Sequence, residues 1–479
     1  MSKKKIKNDG IYFLGKAADD VTGSQYLVNF GDYKILLECG LHQSSRNDYL
    51  DSYKINSEKF KFKPSEIDYV FVNHTHIDHI GLLPRLVKEG FKGRIIATQK
   101  TAMVMKPLLL NSCFIVNEEC RIISRRYKRQ YKPLYSEEDV YSTLSLVDVY
   151  DEYEHIYKLN DSIKFQWLPN SHCVGAAQLQ LIVSNADKTR KILYTSDIGA
   201  LKSKNHFVPD TYIPTTFNDV VIMESTYGLK RVNKKTRKFD VKHLESAINT
   251  VLERNGSVIM PCFSFSRTQE LLVALYSIYG KREDFTTAVC VDSKLSCDIC
   301  SLYFNLLQDE DLELWKDIIN WKNLRLITDK EESQKNVKDS TPKIVLSSSG
   351  FCTNGRVISY LKEYISDSNN MVIFSGYSGD NPTYLSYRIK HYKDYKTISI
   401  NKDKYPNNAD CISLSTFSCH ADYNDLIKYG SNLNTNKLVL VHGTKEGKEC
   451  LANGLREAIS KNDKTYRVLT SVKDMRISL

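Results

Sequence analysis

The stretch Val72-Asn73-His74-Thr75-His76-Ile77-Asp78-His79-Ile80-Gly81 decides how this chain is read. It follows a short apolar run, Tyr69 to Val72, with the pattern of a buried strand, and it precedes a periodic apolar segment, Leu82 to Val87, with the pattern of a helix. Three histidines and one aspartate therefore fall where a strand gives way to a helix. That edge is where α/β proteins build their sites. Neutral imidazole nitrogens and an anionic carboxylate oxygen are the ligand types that suit zinc. Alternate residues can converge on one ion and the next pair can turn toward a second. A lone histidine would be read as a satisfied core residue. Four ligand-type residues within six positions are not explained that way.

Working outward, Ile11 to Gly15 and Gln25 to Phe30 have strand patterns, and Gly31-Asp32 can turn the second into Tyr33 to Leu37. Glu38-Cys39-Gly40 closes that strand, and Glu38 is a candidate for standing behind the ligands. Downstream, a helix end at Lys88 leads through a turn to a strand by Thr98, and Thr101 to Tyr157 reads as helical and polar. Within it Arg121, Arg125, Arg126, Lys128, Arg129 and Lys132 are interleaved with Tyr127 and Tyr131. Such a run can hold a nucleic-acid backbone or can be a solvated helix face. Lys164 to Leu168 is a strand that ends at Ser171-His172 and a glycine-containing turn through Ala177. Lys191 to Thr195 is a strand that ends at Asp197, whose two carboxylate oxygens can bridge two cations. Val220 to Met223 leads into Glu224-Ser225-Thr226-Tyr227-Gly228.

From Gly228 the character changes. Arg231 to Lys238 reads as a basic, turn-like linker. Strands at Ser257–Met260, Thr287–Val291, Lys343–Leu346 and Met371–Phe374 then alternate with helices, which predicts a parallel sheet. The loops at their ends, with Arg267 after Phe265-Ser266, Ser348-Ser349-Gly350 and Ser375-Gly376, present backbone N–H groups that suit phosphates. Site chemistry returns at Phe417 to Tyr423, which contains His420, and at His442-Gly443 after the strand Lys437 to Val441. A domain from about Gly228 to Lys396 is therefore inserted into a metal-site domain made of residues 1–227 and 397–479.

Bulk properties bound the class. A chain of 479 residues exceeds one typical domain, and 42% hydrophobic residues can support a sizeable core. A net charge of +10 favours an anionic partner, weakly, because the excess is spread along the chain. Twelve cysteines lie without framework spacing, and the single Cys297-x-x-Cys300 reads as helix packing. The basic N-terminus lacks an apolar core, and no run approaches a membrane span. The expected location is cytoplasmic, or nuclear in a eukaryote, with no membrane partner.

The ordered set of stretches resembles the β-CASP nucleases of the metallo-β-lactamase superfamily, closest to the endonuclease subunit of the cleavage and polyadenylation specificity factor and its prokaryotic relatives. The resemblance implies an αββα sandwich with an inserted β-CASP domain. It implies two zinc ions, with manganese as a substitute. One would be held by His74, His76 and His172, the other by Asp78, His79 and His442, with Asp197 between them. It implies hydrolysis of RNA phosphodiester bonds to a 5′ phosphate and a 3′ hydroxyl. Asp78 would act in catalysis, and His420, paired with Glu224, would supply a proton to the leaving oxygen. A histidine at His442 marks RNA-processing members of the family. Glu38 stands where an aspartate is usual. The alternatives are a 5′ exoribonuclease, a DNA nuclease of the same family, an esterase or lactamase, and a metal-bound inactive scaffold. A homodimer or a paralogous partner is compatible with the resemblance.

Overall fold

The computed structural model describes residues 8–44, 48–229, 236–379, 381–462 and 464–479. Two seven-stranded sheets lie face to face. The first runs Arg476–Ile477, Gly10–Phe13, Tyr26–Phe30, Tyr33–Leu37, Tyr69–Val72, Arg94–Ala97, Val147–Val149. The second runs Arg467–Thr470, Thr435–Val441, Asn218–Glu224, Thr189–Tyr194, Ala177–Ser184, Ile163–Pro169, Tyr157–Lys158. Their inner faces share one core, in which Phe71 meets Phe165 and Trp167 edge to face at centroid distances of 5.0 and 5.9 Å. Each such ring contributes about 1.5–3 kcal/mol by burial, with somewhat more from the edge-to-face geometry.

Helices cover both outer faces. Leu83, Leu86, Met105 and Leu109 pack on the first sheet, and Leu426, Tyr429, Leu451 and Leu455 pack on the second. This is the αββα layering that the resemblance implied. The helix Gln99–Tyr127 begins at Thr98, whose hydroxyl accepts from Thr101 N at 3.2 Å. Helix does not continue to Tyr157, as the sequence reading expected. A second helix, Glu137–Leu144, starts at a capping box between Ser136 and Asp139, and Val147–Val149 then pairs in parallel with Ile95–Ala97. The alternation Val147-Asp148-Val149 places the two valines on one face of the strand.

A third sheet, all parallel, runs Leu324–Ile327, Ala288–Asp292, Lys343–Ser347, Val258–Pro261, Met371–Phe374, Asp410–Ser413. Its last strand lies beyond Lys396, where the insert was expected to end. The reason is packing: Ile398, Ile400 and Ala409 are buried with Val372 and Phe374, so this core continues past residue 396. At the other end, residues 231–235 of the expected basic linker lie outside the described residues. Arg237 and Lys238 open the helix Arg237–Glu253 rather than a turn. Arg237 stacks over Phe417 at 3.5 Å and bonds Glu270 at 2.8 Å, so its charge is held in a seam. Cys297 and Cys300 are buried, unpaired thiols in the helix Lys294–Leu306.

Parallel pairing sets the site. Glu224 lies in register with Val441 and Tyr194 with Ile222, so Asp197, Glu224 and His442 emerge at one edge of the second sheet. The first sheet delivers His74 to His79 at its own edge, just beyond Val72.

Candidate metal centre

Strand ends bring the seven expected ligands together in two groups that share one carboxylate. His74, His76, His172 and Asp197 have ligand atoms within 4.8 Å of one another, and so do Asp78, His79, Asp197 and His442. Asp197 Oδ2 lies 3.7 Å from His74 Nε2, 3.7 Å from His172 Nε2 and 3.2 Å from His79 Nε2. His442 Nε2 lies 3.2 Å from Asp78 Oδ2.

The side chains behind them aim these atoms. Glu38 Oε2 takes a bond from His79 Nδ1 at 2.5 Å and another from the Tyr194 hydroxyl, while Oε1 accepts from Ser196 Oγ at 2.6 Å. Ser196 Oγ in turn lies 3.1 Å from His74 Nδ1. With Ser196 donating to Glu38, it accepts from His74 Nδ1–H, and the lone pair of His74 is left on Nε2. One carboxylate thus sets the tautomers of two imidazoles, a familiar way of orienting metal ligands. Glu38 holds φ +61°, so the chain turns sharply there. Gly40 is required nearby, since a Cβ on it would lie 1.6 Å from the Asp78 carbonyl oxygen.

Whether a metal fits is decided by what these atoms lack. His74 Nε2, His79 Nε2 and Asp197 Oδ1 are buried without a hydrogen-bond partner. Unpaired buried polar atoms are costly, and three in one cluster call for an ion. His76 Nδ1 and His172 Nε2 face each other at 3.0 Å. Burial, reinforced by neighbouring imidazoles, holds His74 and His172 well below the usual histidine range, and burial pushes His76 down to about 4. Neutral imidazoles are the form that binds metal. Burial opposes a charge on His79 too, but Asp197, Glu38 and Asp78 outweigh it and raise that imidazole well above its usual range. The residues present fit a pair of divalent cations.

Beside the shared carboxylate stands a second constellation. His420 Nδ1 lies 3.0 Å from Glu224 Oε1, and His420 Nε2 lies 3.9 Å from Asp197 Oδ2. Glu224 also accepts from Ile198 N at 2.7 Å and from Thr226 N at 3.1 Å, which fixes the carboxylate. Burial resists protonation of His420, yet Glu224 and Asp197 prevail and bring it up to about 9.

The expected phosphate-binding residues divide. Arg267, Gly350, Ser375 and Gly376 line one small cavity at the strand ends of the third sheet. Ser348 and Ser349 are not in its lining: Ser348 Oγ bonds Ser293 Oγ at 3.0 Å and Ser349 Oγ lies 3.2 Å from Thr353 Oγ1. Arg121 to Lys132 sits at the far end of the helix Gln99–Tyr127 and takes no part in the centre. Sequence reasoning missed Tyr194, Ser196 and Thr226. The last holds His442 Nδ1 at 3.0 Å. Their only signal was position, one to three residues from a ligand or its strand.

Comparison with known proteins agrees with this architecture. Residues 18–111 match the metallo-beta-lactamase superfamily, 268–383 the Beta-Casp domain and 404–466 the Zn-dependent metallo-hydrolase RNA specificity domain. The chain is similar to Ribonuclease TTHA0252 of Thermus thermophilus, 28% identical over 90% of this chain and 92% of that one. It is similar to Endoribonuclease YSH1 of Candida glabrata, 25% identical over 92% of this chain and 56% of the yeast protein. Transcription termination factor FttA of Methanosarcina mazei is 24% identical over 96% of this chain and 70% of its own length. A solved structure of a protein of unknown function from Enterococcus faecalis covers 99% of this chain with a TM-score of 0.52 at 12% identity, a likeness of fold alone.

Proposed function

Because this chain is built of metallo-β-lactamase and β-CASP domains, we propose that it is a metal-dependent ribonuclease that holds two zinc ions. It cuts RNA internally, leaving a 5′ phosphate and a 3′ hydroxyl. The observation that carries this reading is the pair of ligand groups sharing Asp197, with the His420–Glu224 pair directly beside it. The ribonuclease and endoribonuclease names of the relatives support an RNA substrate and internal cleavage.

His74, His76 and His172 would hold one ion and Asp78, His79 and His442 the other, with Asp197 common to both groups. Metal ions held there supply a Lewis acid for the phosphate oxygens and lower the pKa of a bound water toward neutrality. The protein does the rest. Glu224 holds His420 by Nδ1, which leaves Nε2–H aimed toward the shared carboxylate, where the departing 3′ oxygen needs a proton. The insert places Arg267, Gly350, Ser375 and Gly376 around one cavity that would orient the substrate. No helix among the described residues is long and apolar enough to cross a membrane.

The test offers labelled RNA and DNA of equal sequence to zinc- or manganese-loaded protein and maps the ends formed. Internal cuts in RNA with 5′ phosphates are expected. DNA cut as fast as RNA, or products removed one by one from the 5′ end, would replace this reading with another.

A further inference from the structure

The loop that carries Arg267 has one outlier. From Pro261 to Leu272 every residue is buried except Phe263, whose side chain is 43% exposed. In the lining of the same cavity, Tyr377 is 48% exposed, on the loop after the strand Met371–Phe374. Phe351 lies between them, its ring 5.3 Å from that of Phe263 and 6.0 Å from that of Tyr377, edge to face in both cases. Two large rings held in place by a third and left open to solvent cost hydrophobic stabilisation unless something covers them. Glycine makes the room: a Cβ on Gly350 would lie 3.3 Å from the Phe263 ring.

The same cavity has a charged wall. Arg267 is buried and carries an unpartnered Nε, and among the described residues its Nη2 has only the Cys419 sulfur at 3.8 Å. No carboxylate among the described residues pairs with it, for Glu270 is taken by Arg237. A buried guanidinium in that state calls for an anion. Gly376, at φ +145°, leaves the space into which a Cβ would intrude to 2.4 Å from Arg267 Nη1. Phe263, Arg267 and Tyr377 line one cavity, and Cys419 is the neighbour of His420.

Exposed aromatic rings beside an anion site are the chemistry that receives a nucleotide unit. We propose that Phe263 and Tyr377 form a stacking platform for one base of the RNA, next to the bond that is cut, while Arg267 holds that nucleotide's phosphate. This rests on the ribonuclease reading and deepens it. Stacking is tolerant of base identity, so the platform would impose a requirement for a base at one position without dictating which.

The experiment is a scan along an RNA substrate with two probes, an abasic ribose and 2-aminopurine. For the unaltered, metal-loaded protein one position is expected at which base removal lowers kcat/KM about tenfold, a typical stacking contribution. 2-Aminopurine placed there should lose fluorescence on binding. Phe263→Ala with Tyr377→Ala should lose the same factor on intact RNA, become indifferent to the abasic site and leave the probe bright. Phe263→Trp should restore both effects, which separates loss of the ring from misfolding. Cleavage of RNA with no base-dependent position, or an abasic penalty that persists in the double variant, overturns the platform. Quenching without cleavage would instead retain the platform and overturn the ribonuclease reading. Neither binding nor cleavage overturns both.

Discussion

His420 Nδ1 rests 3.0 Å from Glu224 Oε1 while both ligand groups have their members without it. The imidazole is thus oriented by a carboxylate of its own. His420→Ala should keep both metal ions and most RNA affinity and lose about 10²–10⁴-fold in cleavage rate. His442→Ala should weaken one ion. Elemental analysis beside single-turnover cleavage checks the contrast. Loss of metal from His420→Ala to the same extent as from His442→Ala would make it a ligand instead of an acid.

Asp197 appears in both ligand groups, so its effect should double. Asp197→Asn keeps the size of the side chain and removes the charge. Two ions per chain are expected for the unaltered protein and fewer than one for this variant. A metal-replete native protein with a single ion would refute the dinuclear arrangement.

Glu38 reaches His79, Ser196 and Tyr194 through the extra methylene that an aspartate lacks. Glu38→Asp should retract the carboxylate from these donors. Metal affinity should fall by about 10–100-fold, the usual effect of removing a partner behind a ligand. Competition with a chelator measures it. An unchanged affinity would show that Ser196 and Tyr194 alone can orient His79 and His74.

Glu119 gives a pH signature away from the centre. Burial raises its carboxyl to about 7. In the unfolded chain the group titrates near 4.3. Between those values the folded state holds the extra proton, so stability falls as pH rises from about 4 to 7 and is level above. Glu119→Gln should remove that slope, raising Tm at pH 8 by roughly three to four degrees while leaving it unchanged at pH 4. Equal Tm values for the two proteins at pH 8 would count against the shift.

Much of this was legible in the chain. Tyr69–Val72 and Met371–Phe374 are strands with the bounds their apolar runs gave, because a strand buried on both faces needs no partner to be recognised. The side-chain cluster that the structure brings together was legible because four ligand-type residues stand in six positions. Ala177–Ser184 was missed: its alternating glutamines and leucines lie directly after the His172 turn, and that strand is defined by antiparallel partners on both sides. Asp410–Ser413 joins the third sheet through a pairing with Met371–Phe374 across an intervening hairpin, which no local pattern announces. The exposure of Phe263 was hidden for the converse reason, since an apolar residue in an apolar loop looks like core until its neighbours are placed.

The first ligand, His74, and the last, His442, are separated by most of the chain, and the strand Arg476–Ile477 closes the first sheet against Ile11–Tyr12. During synthesis, therefore, the amino-terminal strands and the first six ligands emerge from the ribosome long before the site can work. A nascent chain halted anywhere before residue 442 has one ligand group short of His442 and a first sheet without its edge strand Arg476–Ile477. The second ligand group is therefore complete only once residue 442 has been added.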